Sequence, residues 1–375
     1  MSTIVFYVSG HGFGHASRVI EVINALFARR ADLRLIIRTP APRWLFDLTV
    51  TGRVEYHQVE TDTGVVQIDS LHLDAAETVR RAREFMATFD ARVAAESAFL
   101  TQAHVTMVVA DAPPLGVAAG VATGVPTIVL GNFTWDWIYS RYAGTAELVA
   151  ELSTIYARAD GALRLPMHGG FASVGNVVEL PFVARRSHRE AAETRQSLQL
   201  PRDERLVLVS FGGYGLDGLD LEALSRLEHY TVLVSGSVPL GNLPEGLRGG
   251  RRGSLMPCDE SSMYAAGVRY EDLVKAVDVV VTKPGYGIIA ECLANDTALL
   301  YTSRGDFIEY PVLVAAMPHF LRASFIDHPD LFAGRWRAHL DAVLAQPEPL
   351  ERPAVNGAEV AAALLLGILS ERLCH

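Results

Sequence analysis

The sequence predicts an α/β fold built from two doubly wound parallel sheets, each in its own domain. Short apolar runs alternate with longer helical patterns along the chain, which is the rhythm of βαβ units. Three of these runs end in glycine-containing turns that lead directly into a helix, and the rhythm pauses only once. With 375 residues, 50% of them hydrophobic, the chain is long enough to bury two cores.

Six apolar runs in the first half predict strands. They are Ile4–Val8, Leu33–Ile37, Val54–Val59, Val105–Ala110, Thr127–Leu130 and Gly161–Leu165. A mixed polar and apolar pattern, Ala75–Ala103, predicts one long helix between them. The charged stretch Pro181–Arg205 then interrupts the rhythm, so we place the domain boundary there and expect an N-terminal domain over residues 1–182.

The second half repeats the pattern. Its apolar runs predict strands at Leu206–Ser210, Thr231–Ser235, Val277–Val281 and Ala298–Thr302. We expect a second domain over residues 183–355 and a C-terminal helix over 356–375 that packs back towards the first domain. The apolar part of this helix, Val360–Leu369, is shorter than the roughly 20 residues that span a bilayer. Because such sheets bind ligands at the carboxyl ends of their strands, we expect both to face one central cleft.

Composition and charge exclude several classes of partner. A net charge of −10, from 33 Lys and Arg against 43 Asp and Glu, does not provide the clustered positive charge of a surface for nucleic acid or anionic membrane. Cys258, Cys292 and Cys374 are far apart and lack metal-ligand spacing, so they indicate thiols in a reducing compartment. The start of the chain has no charged leader or cleavage site, and we expect a cytoplasmic protein without a transmembrane segment.

The first glycine turn follows the strand Ile4–Val8. Its glycines are Gly10, Gly12 and Gly14. The position of the third glycine in a dinucleotide fingerprint is occupied by His15, and the next strand ends in Arg38 rather than in an acid. The turn therefore disfavours a nicotinamide cofactor, and we expect no cofactor.

Two imidazoles lie in this turn, at His11 and His15. An imidazole titrates near neutrality and therefore suits a general base. The alternative is that either histidine only caps the helix. We expect His15 to be the base and His11 to shape the turn or to contact an acceptor.

Two further glycine turns follow strands in the second half. Gly212 and Gly213 offer backbone that can approach a phosphate, although plain tight turns use the same residues. The turn at 282–291 is more informative, because Lys283 and two glycines precede Glu291 there. A helix N-terminus with a cation can hold a diphosphate, and Glu291 can accept hydrogen bonds from ribose hydroxyls. The alternatives are a solvated lysine and an acid that the helix dipole favours.

These motifs resemble those of MurG-like glycosyltransferases with the GT-B fold. More narrowly, the chain is similar to the glycosyltransferase-like domain that precedes the sugar kinase in plant L-arabinokinase. This resemblance covers nearly the whole chain and rests on Gly10–Arg18, Asp62–Asp69, Gly131–Tyr139, Arg164–Pro166, Val183–Arg186, Lys283–Gly287 and Asn356–Val360. It implies two Rossmann-like domains and a nucleoside diphosphate sugar as donor, with a UDP-sugar favoured. It also implies a small-molecule or glycan acceptor.

The resemblance implies roles for individual residues. On the donor side they are Gly212, Gly213, Arg269, Tyr270, Lys283, Gly285, Tyr286, Gly287, Glu291, Arg304 and Glu309. On the acceptor side they are His11, Gly12, Phe13, Gly14, Gln67, Asn132, Trp135 and Asp136, with His15 as the base. Asp306 departs by one position from the spacing of arabinokinase-like sequences.

The expected reaction needs no metal. No Asp-x-Asp motif, which holds the metal in enzymes of the other common glycosyltransferase fold, occurs in the sequence. A helix N-terminus and Lys283 are expected to stabilise the departing diphosphate instead, while His15 deprotonates the acceptor and gives inversion. Trp135 and Trp137 are suited to stack on a sugar or another ring. The alternative is that they are core residues. The alternative function is a nucleotide-sugar or sugar-binding domain without transfer activity, or an epimerase-like relative.

Overall fold

The structure is a computed structural model that describes residues 2–212, 216–234 and 250–373. Contacts divide the chain into two compact units. Unit 1 comprises Met1–Val66, Asp74–Ala184 and Ala354–His375, and unit 2 comprises Gln67–Leu73 and Arg185–Pro353. Gly213, Cys374 and the last residue of the predicted strand Thr231–Ser235 lie outside the described residues.

Unit 1 contains a seven-stranded sheet in which all neighbouring strands are parallel. Its strands are β1 (Thr3–Val8), β2 (Arg34–Thr39), β3 (Val54–Gln58), β4 (Met107–Asp111), β5 (Thr127–Phe133), β6 (Gly161–Gly169) and β7 (Val177–Glu179). Their order across the sheet is β3-β2-β1-β4-β5-β6-β7. The central strands β1, β4 and β5 are buried along their whole length, which explains why they are continuous apolar runs in the sequence.

Seven helices follow the strands of unit 1. They are α1 (Phe13–Arg29), α2 (Trp44–Thr49), α3 (Ala75–Ala87), α4 (Phe89–Gln102), α5 (Pro114–Thr123), α6 (Trp135–Tyr139) and α7 (Ala146–Tyr156). The prediction of one long helix over Ala75–Ala103 was wrong, because the backbone leaves the helical conformation at Thr88. The Thr88 hydroxyl donates to the carbonyl of Phe85 (3.1 Å), and such side-chain bonds compete with the helical hydrogen-bond ladder.

Unit 2 contains a six-stranded sheet, also parallel throughout. Its strands are β8 (Arg205–Val209), β9 (Tyr230–Val234), β10 (Leu255–Pro257), β11 (Val279–Thr282), β12 (Ala298–Tyr301) and β13 (Ala323–Phe325). The order β10-β9-β8-β11-β12-β13 repeats the Rossmann arrangement of the first six strands of unit 1. The predicted fold class is confirmed, and the strands that the sequence missed, β7, β10 and β13, have only three residues each.

The helices of unit 2 connect these strands. They are α8 (Ala191–Ser197), α9 (Leu221–Leu224), α10 (Glu260–Ala265), α11 (Tyr270–Ala276), α12 (Tyr286–Ala294), α13 (Glu309–Ala316), α14 (His328–Phe332) and α15 (Arg337–Leu344). The last helix, α16 (Gly357–Leu373), returns to unit 1 and packs against α1. None of the helices in the described ranges combines the length and apolar character that crossing a membrane requires.

Candidate active site

The turn after β1 is held in shape by Ser9. Its hydroxyl accepts a hydrogen bond from the backbone N–H of His11 (3.1 Å) and donates one to the carboxylate of Asp62 (3.1 Å). Gly12 has a φ of 78°, in the left-handed region that favours glycine, and it is the N-cap of α1. No atom lies within 4 Å of the position that a Cβ would take there. The start of α1 therefore presents backbone N–H groups beside open space.

His15 lies in the first turn of α1 and is only 5% exposed. Its Nδ1 lies 3.2 Å from Oδ2 of Asp111, the last residue of β4. In the sheet, Val8 of β1 pairs with Asp111 in register. The strand pairing therefore brings an acid beside the first glycine turn, a neighbour of His15 that the sequence did not indicate.

Asp111 is fully buried, and its charge is compensated. Burial by itself raises the pKa of a carboxyl, but the charge of Arg18 and the contact with His15 offset this effect and hold the pKa of Asp111 below its usual value. The carboxylate is thus ionised at neutral pH.

Arg18 completes this group of side chains. It lies one turn after His15 on α1 and is 5% exposed. Its NH2 donates to Oδ1 of Asp111 (2.5 Å), and its NH1 donates to Oδ1 of Asn132 (2.7 Å) at the end of β5. The predicted residues His15 and Asn132 therefore belong to one buried network, and Arg18 and Asp111 join it. We call these four side chains the His15 network.

Aromatic rings surround both histidines. The ring of His11 makes a T-shaped contact with Trp135 (5.7 Å between centroids), and the ring of His15 makes one with Phe133 (5.4 Å). Nδ1 of His11 accepts a hydrogen bond from the backbone N–H of Val65 (3.3 Å). Trp135 is 1% exposed, so it is both a core residue and a wall of the site, whereas Trp137 is half-buried.

Asp62 is a second buried acid that the sequence did not indicate. Burial raises its pKa to about 7, although hydrogen bonds from Ser9 and from Nε1 of Trp135 (2.8 Å) oppose the shift. Asp62 also lines a small pocket in unit 1. The other lining residues are Thr63, Ala82, Phe85, Met86, Pro114, Trp135, Tyr139, Leu148 and Leu152.

Two other predicted acceptor residues have contacts outside the His15 network. The Asp136 carboxylate accepts hydrogen bonds from the hydroxyls of Ser153 (2.9 Å) and Ser173 (3.4 Å). Phe13, the first residue of α1, is exposed and makes a T-shaped contact with the exposed ring of Trp44 (5.7 Å). The following residue, Gly14, also lies in the first turn of α1.

In unit 2, Lys283 follows β11 at the edge where the strands of this sheet end. Its Nζ donates to Oε1 of Gln67 (3.2 Å). Burial, together with the nearby charge of Arg304, lowers the pKa of the Lys283 ammonium to about 7. Lys283 is therefore partly desolvated, which argues against the alternative of a solvated surface lysine.

Gln67 was predicted on the acceptor side, yet it packs in unit 2. The segment Gln67–Leu73 belongs to that unit, although both flanking segments belong to unit 1. The Ser70 hydroxyl donates to the carbonyl of Phe211 (2.9 Å), and Leu71 is part of the hydrophobic core of unit 2. The segment therefore brings Gln67 to Lys283.

Glu291 lies on α12 and is 4% exposed. Arg185 donates to its Oε1 from Nε (2.7 Å). Burial raises the pKa of the Glu291 carboxyl, and the charge of Arg185 opposes this shift. Arg185 lies in the segment Val183–Arg186, which carried part of the family resemblance but received no role from it.

Tyr270 and Arg269, both predicted to contact the donor, lie at the start of α11. The hydroxyl of Tyr270 lies 2.6 Å from that of Ser210, and the guanidinium of Arg185 lies 5.1 Å from the centre of the Tyr270 ring. Tyr270 is thus partly buried and contacts Ser210 and Arg185. The side chain of Arg269, the N-cap of α11, is 43% exposed.

The remaining predicted donor residues surround the ends of β8, β11 and β12. Gly285 is the N-cap of α12, and apart from its chain neighbours no atom in the described part of the chain lies within 4 Å of its would-be Cβ. Tyr286 and Gly287 follow it in the first turn of the helix, with the Tyr286 side chain buried. Gly212 has a φ of 72°, and no atom of the described residues other than its chain neighbours lies within 4 Å of its would-be Cβ.

Arg304 connects two parts of this region. Its NH1 donates to the carbonyl of Pro284 (3.4 Å) and lies 3.9 Å from Oε2 of Glu309. Its guanidinium also lies over the ring of Phe307, 3.9 Å from the ring centre. We call Lys283, Arg304 and the first turn of α12 the donor cluster, because the sequence analysis places all of them on the donor side.

Comparison with known proteins gives one curated relative with similarity along nearly the whole chain. The chain is 27% identical over 376 aligned positions to L-arabinokinase from Arabidopsis thaliana, and the match covers 98% of this chain and 34% of that protein. The chain thus spans about a third of the length of this relative. No protein-family model matches it.

Solved structures show the fold. The glycosyltransferase of kitacinnamycin has a TM-score of 0.62 and 16% identity, with 98% of this chain and 97% of that chain covered. UGT2 from Phytolacca americana, solved with UDP-2-fluoroglucose and pterostilbene, has a TM-score of 0.57 and 14% identity, with 99% and 94% covered. MurG from Acinetobacter baumannii has a TM-score of 0.52 and 13% identity, with 98% and 100% covered. The chain therefore has the fold of GT-B glycosyltransferases, and the resemblance that the sequence indicated is confirmed.

Proposed function

We propose that the chain is a glycosyltransferase that moves a sugar from a nucleoside diphosphate sugar to a hydroxyl of a small-molecule or glycan acceptor. Unit 2 binds the donor, for which UDP is the favoured nucleotide, and unit 1 binds the acceptor. The observation that carries this proposal is the pair of His15 and Asp111 beside the first glycine turn of a GT-B fold. A buried imidazole next to an ionised acid is suited to take a proton from a hydroxyl.

The base in this proposal is Nε2 of His15. Its other ring nitrogen, Nδ1, faces Asp111 and Arg18, and Nε2 takes the acceptor proton in the tautomer that carries its proton on Nδ1. As the acceptor oxygen forms its bond to the anomeric carbon, the bond from that carbon to the diphosphate oxygen breaks. Attack from the face opposite to the diphosphate inverts the anomeric centre. The Asp111 carboxylate then stabilises the imidazolium.

The donor cluster supports binding of the departing diphosphate. Lys283 supplies a desolvated cation, and the start of α12 at Gly285 supplies backbone N–H groups and the positive end of the helix dipole. Negative charge develops on the leaving group during transfer. These groups stabilise it more strongly than water does, because they are already oriented towards it. The absence of an Asp-x-Asp motif from the sequence supports transfer without a metal, so we expect activity to persist in excess EDTA.

The test begins with donor binding and ends with turnover. A thermal-shift screen with UDP-, GDP- and dTDP-sugars should give the largest increase in Tm with a UDP-sugar, because ligands that bind the folded state stabilise it. The Lys283→Met variant should lose this increase, and His15→Ala should keep it. Turnover is then followed as release of nucleoside diphosphate with a panel of phenolic and sugar acceptors. Binding without acceptor-dependent release in the whole panel would favour the nucleotide-sugar-binding alternative.

A further inference from the structure

Nδ1 of His15 has two neighbours that make incompatible demands on it. Oδ2 of Asp111, 3.2 Å away, only accepts hydrogen bonds, so this contact requires a proton on Nδ1. NH2 of Arg18, 2.8 Å away, only donates, so this contact requires the lone pair of Nδ1. A neutral imidazole carries one proton, and Nδ1 cannot satisfy both neighbours in the same tautomer.

The geometry favours Arg18 in this competition. Its distance of 2.8 Å is typical of a good hydrogen bond, whereas the 3.2 Å to Asp111 is at the long end of the range. A proton on Nδ1 would point at an N–H group of Arg18, donor against donor. Asp111 does not need His15 as a donor, because its oxygens already accept from Nε (3.1 Å to each) and NH2 (2.5 Å) of Arg18.

Arg18 can also give up the contact with His15 at small cost. Its NH1 donates to Asn132 (2.7 Å), and its Nε and NH2 donate to Asp111. These bonds hold the planar guanidinium in place, and they remain when the imidazole turns Nδ1 away from the N–H that faces it. The guanidinium therefore stays anchored in both situations, and only the bond to the imidazole changes.

We infer that Arg18 determines which ring nitrogen of His15 carries the proton and holds the resting imidazole as the Nε2–H tautomer. When the imidazole turns Nδ1 away from Arg18, the ring loses the Nε2 proton to water and gains one on Nδ1, Nδ1–H donates to Asp111, and Nε2 becomes a base. Arg18 is thus a positioning residue that acts through His15. The tautomer is inferred from the His15 network alone. The inference that Arg18 thereby controls a catalytic base rests on the proposed function.

The test reads the tautomer directly and needs no substrate. Two-bond ¹H–¹⁵N NMR spectra of the ¹⁵N-labelled protein distinguish protonated from unprotonated ring nitrogens. The signals of His15, one of 12 histidines, are identified by their loss in the His15→Gln variant. We expect an unprotonated Nδ1 and a protonated Nε2 in the wild type. In Arg18→Met and Arg18→Leu, which have no donor, the proton should move to Nδ1, whereas Asp111→Asn should keep the wild-type tautomer.

A matched control is Arg38→Lys, which changes another buried arginine of unit 1 that pairs with Glu96 rather than with His15. It should leave the His15 signals unchanged. A protonated Nδ1 in the wild type overturns the inference, and so does an unchanged tautomer in a folded Arg18 variant or a change in Arg38→Lys. If the Arg18 variants do not fold, the tautomers of His15 in the wild type and in Asp111→Asn test the inference. Absence of sugar transfer would refute the proposed function and leave the NMR result intact.

Discussion

Arg185 contacts a single carboxylate oxygen of Glu291 through two of its nitrogens, Nε at 2.7 Å and NH2 at 2.5 Å. The acid that is expected to hold the donor ribose is thus already the partner of a buried cation. Glu271, with Oε2 at 4.0 Å from Arg185, is the other acid beside this guanidinium. Removal of the Glu291 carboxylate therefore affects both ligand binding and the charge balance of unit 2.

This arrangement separates two substitutions of Glu291. Glu291→Gln keeps the size of the side chain but loses the charged acceptor, so UDP binding should weaken by about 1.5–3 kcal/mol. Glu291→Ala leaves Arg185 without its main partner and should also lower the free energy of unfolding by roughly 3–5 kcal/mol. Calorimetry with UDP and urea unfolding measure the two effects. Glu359→Gln, an exposed change on α16, is the control, and equal UDP affinity in Glu291→Gln and wild type would remove the ribose assignment.

Lys283 should make UDP binding depend on pH. In the free protein burial holds the pKa of the Lys283 ammonium at about 7, so much of it is neutral above that pH. A bound diphosphate favours the charged form and raises this pKa, so binding takes up a proton between pH 7.5 and 9.5. UDP affinity should therefore fall as pH rises, by at most about tenfold per pH unit. Calorimetry in buffers of different ionisation enthalpy measures the proton uptake.

Lys283→Arg provides the control for this prediction. A guanidinium remains charged over the whole range, so the affinity of the variant for UDP should be nearly independent of pH. The same pH dependence in both proteins would assign the titration to another group.

Asp62 should make the protein less stable at neutral pH than at acidic pH. Its pKa is about 7 in the folded state and 3.8 in its ordinary environment, so the folded state binds the proton more tightly. Stability is then lost progressively as pH rises from about 4 to about 7, by up to roughly 4 kcal/mol in total. Asp62→Asn removes this contribution. Urea unfolding at pH 5 and pH 8 should show a smaller difference in the variant than in the wild type, and equal differences would contradict the prediction.

The two histidines of the first turn should differ in their effect on turnover. His15→Ala removes the proposed base and should reduce kcat by roughly 10²–10⁴-fold, with donor affinity nearly unchanged. His11→Ala should cost less, because its Nδ1 accepts from Val65 and the ring contributes to the shape of the turn. Steady-state rates with saturating donor measure both effects. A near wild-type rate in His15→Ala together with an inactive His11→Ala would mean that the base is His11.

The sequence was sufficient to predict features that depend on short stretches of chain. Central parallel strands such as Thr3–Val8 and Arg205–Val209 are buried on both faces and therefore appear as continuous apolar runs. The turns at Gly12 and Gly285 were visible because each joins such a run to a helical pattern with glycine between them. Three-residue strands such as β7 are too short for any periodicity, and they escaped detection.

Neighbours of the candidate catalytic residue were not predictable in this way. Asp111 and Arg18 meet His15 because β1 and β4 pair in register and because a helical turn separates positions 15 and 18. An acid at the end of a strand is common in sequences and says nothing by itself about its partner. Arg185 likewise lies more than a hundred residues from Glu291.

The sequence by itself determined the two Rossmann-like sheets, the glycine turns at their strand ends and the residue types that suit a base and a diphosphate site, because periodicity and backbone requirements are written into short stretches of chain. Only the tertiary structure decided which charges are compensated. It buried Asp62, paired Glu291 with Arg185, and assigned Gln67–Leu73 to unit 2, where Gln67 meets Lys283. Protonation depends on burial and on neighbours that are distant in sequence, so the chemical state of these groups is a property of the folded chain.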